Sequence, residues 1–380
     1  MVVEKTKLKI VVYAISKNES SFVDRWYESM KEADEIYVLD TGSTDDTVDK
    51  LKSHGINVKT EKIIPWRFDV ARNKSLEMVP FDTDICVCTD LDEILETGWR
   101  KKLEDSWNNS NRMRYKYNWS LDEYNKPIVT FLYEKIHDRH HYKWVYPVHE
   151  VLECSLDNEV VSTNDNIVLN HYPDKSKSRS SYLPLLELSV EENPNNDRNL
   201  HYLGREYMYY KEWNKSIETL IKHINLPSST WKEERSASMR FISRCYLNLD
   251  RVEEARLWLQ KAIKESPHQR EGYVELALLE FNQKNFLKVI KNCIRAKRIL
   301  KNEMIYINEP FCWDSTIDDL LSISYFNLGM KDEALFYIDK ALEYDKTNER
   351  LIKNKEIFQN SWDTSFYLAS LAKHITYQSC

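Results

Sequence analysis

The fold of this chain is decided by the stretch Asp84-Ile85-Cys86-Val87-Cys88-Thr89-Asp90-Leu91-Asp92-Glu93, an apolar run that ends in an Asp-x-Asp. The run is too short for a helix and apolar enough for a buried strand, and Cys86 and Cys88 would share one face of its core. Carboxylates just beyond a strand lie at the edge where open α/β sheets bind ligands. Such carboxylates can hold a divalent cation shared with phosphate oxygens, so a diphosphate-bearing substrate is the first hypothesis.

Strands and helices alternate upstream of this segment. Apolar runs at residues 9–15 and 35–40 predict strands, and residues 57–60 are interpreted as a third strand. The stretches between and after them predict helices that end near residues 30, 54 and 78. This alternation implies a mostly parallel sheet. Asn18, Glu19, Asp40, Asp90 and Asp92 all follow strand ends, so we expect them to meet in one crevice. Two alternatives remain open, namely that Asp40 caps its own turn and that the Asp-x-Asp is an acidic surface turn.

Several motifs lie in order at residues 14–19, 40–45, 71–73, 90–93, 148–150 and 170–172. Their order and spacing resemble those of family 2 glycosyltransferases. On these motifs the chain resembles the GT-A enzymes of that family, in a subgroup whose short GT-A domain precedes tetratricopeptide-like helices. The subgroup includes enzymes resembling lipopolysaccharide-core glucosyltransferases and the S-glycosyltransferases of bacteriocin peptides. The resemblance implies an α/β GT-A nucleotide-diphospho-sugar transferase domain at residues 1–178 and an all-α repeat domain at residues 179–380.

The resemblance also implies which residues bind the donor. Contacts to the nucleotide are expected from Ala14, Asn18, Glu19, Asp40, Arg72 and Asp90. A divalent cation, Mn2+ or Mg2+, is expected at Asp90, Asp92 and His171. Arg72 would reach the base or the diphosphate, although a salt bridge to a surface carboxylate is the alternative. A lone histidine such as His171 is also commonly a structural residue.

A catalytic base is expected in the later motif. Inverting transfer needs a group that takes the acceptor's proton, and Glu150 beside His149 is the first candidate. Asp122 and Glu123 are the runners-up, and a purely structural contact remains open for Glu150. The pair His149 and Glu150 is not a zinc-protease motif, because no second histidine follows at the required spacing.

The implied activity is metal-dependent, inverting transfer of a hexose from a nucleotide-diphosphate sugar, with a UDP-sugar as the expected donor. The acceptors of the subgroup are diverse, so a peptide or protein, a saccharide and a modified DNA base all stay open. A competing hypothesis is a degenerate transferase that only holds a nucleotide while the repeats bind partners. Intact Asp90, Asp92, His149 and Glu150 favour the enzyme.

The carboxyl-terminal half has a different pattern, made of helix-length amphipathic stretches. A turn followed by a helix start recurs at residues 249–255, 283–289 and 328–334. Ala255 and Val289 are 34 residues apart, which is the tetratricopeptide period, and the 45 residues from Val289 to Ala334 predict an insertion around residues 302–315. Stacked helix pairs would share a core and could also join two copies of the chain as a homodimer, while a generic helical bundle is the alternative.

Composition limits the protein classes further. The 380 residues are 42% hydrophobic and 30% charged, with a net charge of -7, which does not favour nucleic acid as a partner. Residues 197–300 nevertheless hold 20 Lys/Arg against 13 Asp/Glu and could face an acidic acceptor. Neither a secretory leader nor an apolar run of ~20 residues is evident, and the cysteines lack zinc-ligand spacing. We therefore expect a cytoplasmic protein without a transmembrane segment.

Overall fold

The structure, a computed structural model, describes residues 7–174 and 180–360. The chain divides into two compact units at Pro194, and residues 304–306 belong with the first unit. The boundary expected between residues 178 and 179 lies outside the described residues. The helix that follows it, Tyr182–Glu192, belongs with the first unit and not with the repeats.

Within the described residues, the first unit is a sheet domain with five helices. Its strands are β1 (Ile10–Ser16), β2 (Glu35–Asp40), β3 (Asn57–Thr60), β4 (Ile85–Cys88), β5 (Glu93–Leu95), β6 (Arg112–Leu121), β7 (Pro127–Asp138), β8 (Tyr142–Val145), β9 (Val151–Cys154) and β10 (Val161–His171). Its helices are α1 (Ser20–Met30), α2 (Thr47–Ser53), α3 (Phe68–Glu77), α4 (Trp99–Ser106) and α5 (Tyr182–Glu192). Eight strands form one sheet in the order β3-β2-β1-β4-β7-β6-β10-β5, and β8 and β9 form a separate pair.

The amino-terminal half of the large sheet is parallel, as predicted. β1 pairs in parallel with both β2 and β4, so Val12 lies between Ile36 and Val87. All seven residues of β1 are buried, which is typical of a strand covered on both faces. The rest of the sheet is mixed, because the long hairpin β6–β7 inserts antiparallel next to β4 and β5 runs antiparallel to β10.

The two faces of the central strands have different cores. Ile10, Val12 and Ala14 point towards α1, where they pack with Trp26. The alternate residues point to the opposite face, where Cys86 and Cys88 lie together in one apolar cluster, as their spacing predicted.

A buried hydrogen-bonded triad lies within this second core. The Nδ1 of His137 lies 2.6 Å from the carbonyl oxygen of Asp138, to which it donates, and its Nε2 lies 2.8 Å from the hydroxyl of Tyr13. The indole of Trp144 donates to the same hydroxyl at 2.9 Å. A neutral imidazole therefore accepts the Tyr13 proton and satisfies every polar group of the triad. Burial lowers the pKa of His137 to about 4, with only partial compensation from the carbonyl of Asp138.

Because of His137, we expect the free energy of unfolding to depend on pH in the acidic range. Unfolded histidine has a pKa of about 6.5, so between about pH 6.5 and pH 4 the unfolded chain binds a proton that the folded chain excludes. His137 should lower the free energy of unfolding across that window by up to about 3 kcal/mol, and His137→Gln should remove this contribution. Buried His201, whose pKa burial lowers to about 3, contributes separately in both proteins. Urea unfolding at a series of pH values measures it. His140→Gln, at an exposed position, should keep the wild-type slope, and equal slopes for His137→Gln and wild type would contradict the prediction.

The second unit is helical. Its helices are α6 (Asp197–Tyr209), α7 (Trp213–Asn225), α8 (Lys232–Asn248), α9 (Val252–Glu265), α10 (Glu271–Asn282), α11 (Phe286–Lys297), α12 (Thr316–Asn327), α13 (Lys331–Tyr344) and α14 (Glu349–Asn360). A short 3-10 helix, η1 (Pro310–Cys312), lies in the insertion predicted between α11 and α12. Ala255, Val289 and Ala334 are each fully buried at equivalent places in α9, α11 and α13, which confirms the repeat. No helix in the described ranges is both long enough and apolar enough to cross a bilayer.

The turns inside four helix pairs share one backbone conformation. Each turn has one residue with positive φ, and in chain order these residues are Lys211, Asp250, Lys284 and Gly329. The residue after it donates its backbone N–H to the carbonyl five positions back, for example Arg251 to Tyr246 and Met330 to Tyr325. This bond is the one that closes a Schellman motif, for which glycine is the usual left-handed residue. The first three turns adopt it without glycine, which is why the repeat is weak in sequence and regular in structure.

Candidate active site

The predicted site residues follow three adjacent parallel strands. Because β1 pairs with β2 on one side and with β4 on the other, the carboxyl ends of the three strands lie side by side. Ser16 ends β1, Asp40 ends β2, and Asp90 follows β4 by two residues. The sheet edge where ligands bind in open α/β folds therefore carries these side chains.

Asp40 caps its own turn. Its carboxylate is buried, and Oδ1 accepts the backbone N–H groups of Gly42 and Ser43, both at 3.0 Å. Oδ2 accepts the hydroxyl of Ser16 at 3.2 Å and that of Ser43. Gly42 has a φ of 111°, which only glycine adopts without strain. The capping alternative thus describes Asp40 in this structure, and its contact with a nucleotide remains a proposal.

Two other residues expected at the nucleotide tie the β1–α1 loop to the β2–α2 loop. Asn18 has a φ of 53°, and its Oδ1 accepts the backbone N–H of Thr44 at 2.7 Å. The backbone N–H of Glu19 donates to the hydroxyl of Thr47 at 2.8 Å. Ala14 lies differently: it has no exposed surface and packs in the core on the α1 face. The alternation of β1 turns this methyl group inward, which corrects the expectation that it lines a nucleotide pocket.

A buried cluster of charges surrounds Asp90. Its Oδ1 lies 2.6 Å from Nη2 of Arg72, and its Oδ2 lies 2.9 Å from Nζ of Lys135. Glu93 completes the cluster, since it accepts the backbone N–H of Asp90 at 2.9 Å and pairs with Lys135 at 3.1 Å. Burial alone would raise the pKa of Asp90, but the two cations outweigh it and hold that pKa well below its usual range. Asp90 is therefore an ionised carboxylate in a fixed orientation.

Lys135 and Glu93 are the site residues that sequence reasoning missed. The side chain of Lys135 is 6% exposed and that of Glu93 is 2% exposed, which is rare for such residues and requires the pairing they make. Lys135 lies on β7, which reaches Asp90 only because β7 pairs antiparallel with β4, with Ile136 opposite Val87. Local sequence carries no signal for that pairing. Glu93 could have been found from the sequence, since it directly follows the Asp-x-Asp.

Asp92, which directly precedes β5, and His171, which ends β10, lie together. Pairing of β10 with β5 places His171 opposite Glu93, and the backbone N–H of Tyr172 donates to the carbonyl of Asp92 at 2.8 Å. The Nε2 of His171 then lies 3.3 Å from Oδ2 of Asp92. Of the three expected metal ligands, these two face each other, while Asp90 is held by the two cations.

The geometry of this pair fits a divalent cation. The Nδ1 of His171 lies 2.9 Å from the carbonyl oxygen of Trp119, and donation to that oxygen leaves the Nε2 lone pair facing Asp92. The 3.3 Å separation exceeds that of a strong charge-assisted hydrogen bond. Two ligands about 2.1 Å from one ion are about 3.0–3.4 Å apart at octahedral or tetrahedral angles. Without a cation a proton can bridge the pair: burial disfavours the imidazolium, but Asp92 outweighs burial and raises the pKa of His171.

Glu150 joins the same cluster through Arg72. The Oε1 of Glu150 lies 3.0 Å from Nε of Arg72, so this guanidinium bridges Glu150 and Asp90. The Arg72 side chain is 4% exposed, so its partners are site carboxylates and not the surface carboxylate of the alternative interpretation. His149 has a φ of 51°, and its ring packs edge-on against Tyr182 at 5.7 Å.

The runner-up bases lie in the turn between β6 and β7. Asp122 accepts the backbone N–H groups of Tyr124 and Lys126 at 2.9 and 2.8 Å, which is the role of a turn cap. Glu123 is exposed in the same turn. Of the three candidate bases, the structure links Glu150 to the Asp90 cluster through a direct contact.

Comparisons with known proteins match both parts of the chain. Residues 11–152 match the family model described as glycosyl transferase family 2, and residues 241–269 and 320–348 match the tetratricopeptide repeat model. The SPbeta prophage-derived glycosyltransferase SunS of Bacillus subtilis (strain 168) is 26% identical over 314 residues, which are 75% of this chain and 69% of that protein. Glycosyltransferase SunS of Bacillus phage SPbeta is similar to the same extent.

Solved structures with similarity to the chain include helical repeat proteins. MamA superposes with a TM-score of 0.37 at 21% identity, over 46% of this chain and 96% of MamA. A thermophilic tetratricopeptide protein of Thermus thermophilus superposes with a TM-score of 0.34 at 19% identity, over 47% of this chain and 90% of its own.

Proposed function

We propose that this chain, a glycosyltransferase whose residues 11–152 form a family 2 domain, transfers a hexose from a UDP-sugar in a metal-dependent, inverting reaction. The observation that carries the proposal is the facing pair Asp92 and His171 at the start of β5, two residues after the ionised carboxylate of Asp90 that Arg72 and Lys135 hold. A Mn2+ or Mg2+ ion held there would act as a Lewis acid towards the departing diphosphate.

The charged cluster would orient the donor. Arg72 and Lys135 each take one oxygen of Asp90, and a carboxylate has about four lone-pair sites, so Asp90 can still accept a hydroxyl of the nucleotide ribose. Both cations are themselves buried, so their positions vary little. A fixed acceptor of this kind would select one orientation of the donor before the sugar reaches the reacting position.

Glu150 would act as the base. In a single displacement the acceptor's oxygen or sulfur bonds to the anomeric carbon while the bond from that carbon to the diphosphate oxygen breaks. The acceptor's proton passes to Glu150, which Arg72 holds at 3.0 Å. A peptide thiol would need this base least, because a few per cent of it is already ionised near pH 7.

The acceptor proposed here is a peptide or protein, with a saccharide as the other class. Tetratricopeptide-like repeats present extended surfaces that suit long partners. The excess of 20 Lys/Arg over 13 Asp/Glu in residues 197–300 would favour an acidic segment in that partner. Binding of labelled acidic and basic peptides of equal length compares these expectations directly.

The affinity for UDP, measured with and without Mn2+, tests the role of the metal. We expect UDP to bind roughly tenfold or more tightly with Mn2+ than after chelation, a difference of about 1.4 kcal/mol or more in binding free energy. His171→Gln should remove most of that difference, whereas Asp165→Asn, at an exposed position on β10, should not. Titration calorimetry with UDP, and with ADP and GDP for comparison, measures these affinities. Equal UDP affinity with and without Mn2+ in the wild type would contradict the metal role.

A further inference from the structure

Two histidines and a glutamate that take no part in the proposed chemistry are buried together in the helical unit. His201 lies on α6, His223 on α7 and Glu234 on α8. Both imidazoles have no exposed surface, and Glu234 is 5% exposed. One ligand atom from each residue lies within 4.8 Å of the other two. Three successive helices thus direct two nitrogens and a carboxylate oxygen at one interior point.

One distance in this cluster matches the separation of two ligands of one ion. The Nε2 of His223 lies 3.4 Å from Oε1 of Glu234, which is longer than a good hydrogen bond. Ligands at the usual Zn–N and Zn–O lengths, about 2.0–2.1 Å, are about 3.4 Å apart in a tetrahedral site. The separation of these two atoms therefore already matches that of two ligands of a tetrahedral zinc ion.

A serine next to the cluster can hold both imidazoles in the form that binds metal. The hydroxyl oxygen of Ser238 lies 2.8 Å from Nδ1 of His201 and 2.9 Å from Nδ1 of His223. An oxygen with two lone pairs can accept both N–H groups, which places the proton on Nδ1 and the lone pair on Nε2 in each ring. A metal-ligating histidine usually donates its other ring N–H in this way.

We propose that His201, His223 and Glu234 bind a structural Zn2+ ion inside the repeat unit. Two imidazoles and a carboxylate are accepted zinc ligands, and water would take the fourth position because the cluster supplies three protein ligands. The hydroxyl of Ser229, 3.0 Å from Nε2 of His223, would exchange its hydrogen bond for the metal–nitrogen bond. The ion would join α6, α7 and α8, and so stabilise the amino-terminal end of the repeats. A hydrogen-bonded histidine network without metal is the alternative.

The test measures zinc in the full-length protein by mass spectrometry after reconstitution and desalting. The background variant is Asp92→Ala, so that a cation at the donor site is not counted. We expect about one zinc per chain in that background and at least a tenfold lower content after a further Glu234→Gln substitution. Glutamine keeps the volume of glutamate and can still hydrogen-bond, so the fold should survive, and circular dichroism checks this.

A second cluster provides the matched control. Glu233, His268 and Glu303 also lie close together, but they are not buried. His268→Gln should therefore leave the zinc content unchanged. Cobalt offers an independent readout, since four-coordinate Co2+ has strong visible absorption that Glu234→Gln should abolish. Zinc should also raise the melting temperature of the Asp92→Ala protein and not that of the Asp92→Ala/Glu234→Gln protein.

Three results would overturn the proposal. The first is an Asp92→Ala protein that retains no zinc, which would leave the hydrogen-bonded network as the role of the cluster. The second is a folded Asp92→Ala/Glu234→Gln protein with the same zinc content as Asp92→Ala. The third is loss of the zinc in His268→Gln, which would move the ion to the exposed cluster. None of these results depends on glycosyl transfer, so failure here leaves the proposed activity intact.

Discussion

Replacing Asp92 with alanine is expected to abolish glycosyl transfer while the protein stays folded. The side chain is 19% exposed, and the side-chain partner that the structure gives it is His171, so its removal takes away one of the two facing residues proposed to bind the metal. A metal that stabilises the departing diphosphate contributes several kcal/mol to the transition state, which corresponds to about three orders of magnitude in rate. The backbone carbonyl of Asp92 still accepts the N–H of Tyr172, so the β5–β10 contact should persist.

The measurement is the rate of UDP release from a UDP-sugar, with the melting temperature of each protein determined in parallel. Asp165→Ala removes an exposed carboxylate of β10 and should be as active as the wild type. Activity of Asp92→Ala within a few-fold of wild type, at a matched melting temperature, would rule out the proposed role. Equal losses in both variants would point to a general effect of charge.

The parallel half of the sheet could be predicted because its signals are local. The predicted bounds of β2 and β3 agree with the structure, and β2 has the clearer signal, an apolar run followed by turn residues. The Asp-x-Asp after β4 was found by the same reasoning. The mixed half could not be predicted in this way, because the place of β7 beside β4 depends on contacts between distant segments.

The same distinction separates the site residues that could be predicted from those that could not. Asp92 and His171 were expected from motifs, and the pairing of β10 with β5 brings them together. Lys135 follows no motif and acquires its place from the fold alone. Asp40 shows the opposite case. The motif is present, but the carboxylate accepts backbone N–H groups of its own turn.

The buried cluster in the repeats illustrates why metal ligands can escape a search by spacing. His201 and His223 lie on different helices, and Glu234 lies on a third. Zinc motifs of the usual kind have pairs of ligands a few residues apart, within one turn or helix. Helix packing can assemble the same ligand set from residues of any separation, so only the fold reveals it.

Glu150→Gln is expected to lower turnover by roughly two to four orders of magnitude, the usual contribution of a general base. The amide oxygen of glutamine can still accept the N–H of Arg72 that Glu150 accepts at 3.0 Å, so the bridge to Asp90 and the fold should remain. The amide cannot take a proton from the acceptor. UDP affinity, measured by calorimetry, should therefore change little while transfer falls.

Two comparisons separate a base from a residue that only positions Arg72. Glu150→Ala deprives a buried guanidinium of one partner and should lower stability by about 1–3 kcal/mol, which Glu150→Gln should not. If Glu150 only holds Arg72, Glu150→Gln is nearly as active as wild type and Glu150→Ala is the damaged variant. If Glu150 is the base, both variants lose transfer and only alanine also loses stability.

The acceptor group decides how large the loss is. A hydroxyl needs a base, whereas a thiol is partly ionised near neutral pH, so Glu150→Gln should harm transfer to a serine peptide more than transfer to a cysteine peptide. Asp122→Asn and Glu123→Gln are the parallel variants, and loss of transfer in one of them beside an active Glu150→Gln would place the base in the β6–β7 turn. Full activity of all three with a cysteine peptide would show that the acceptor enters the reaction already ionised.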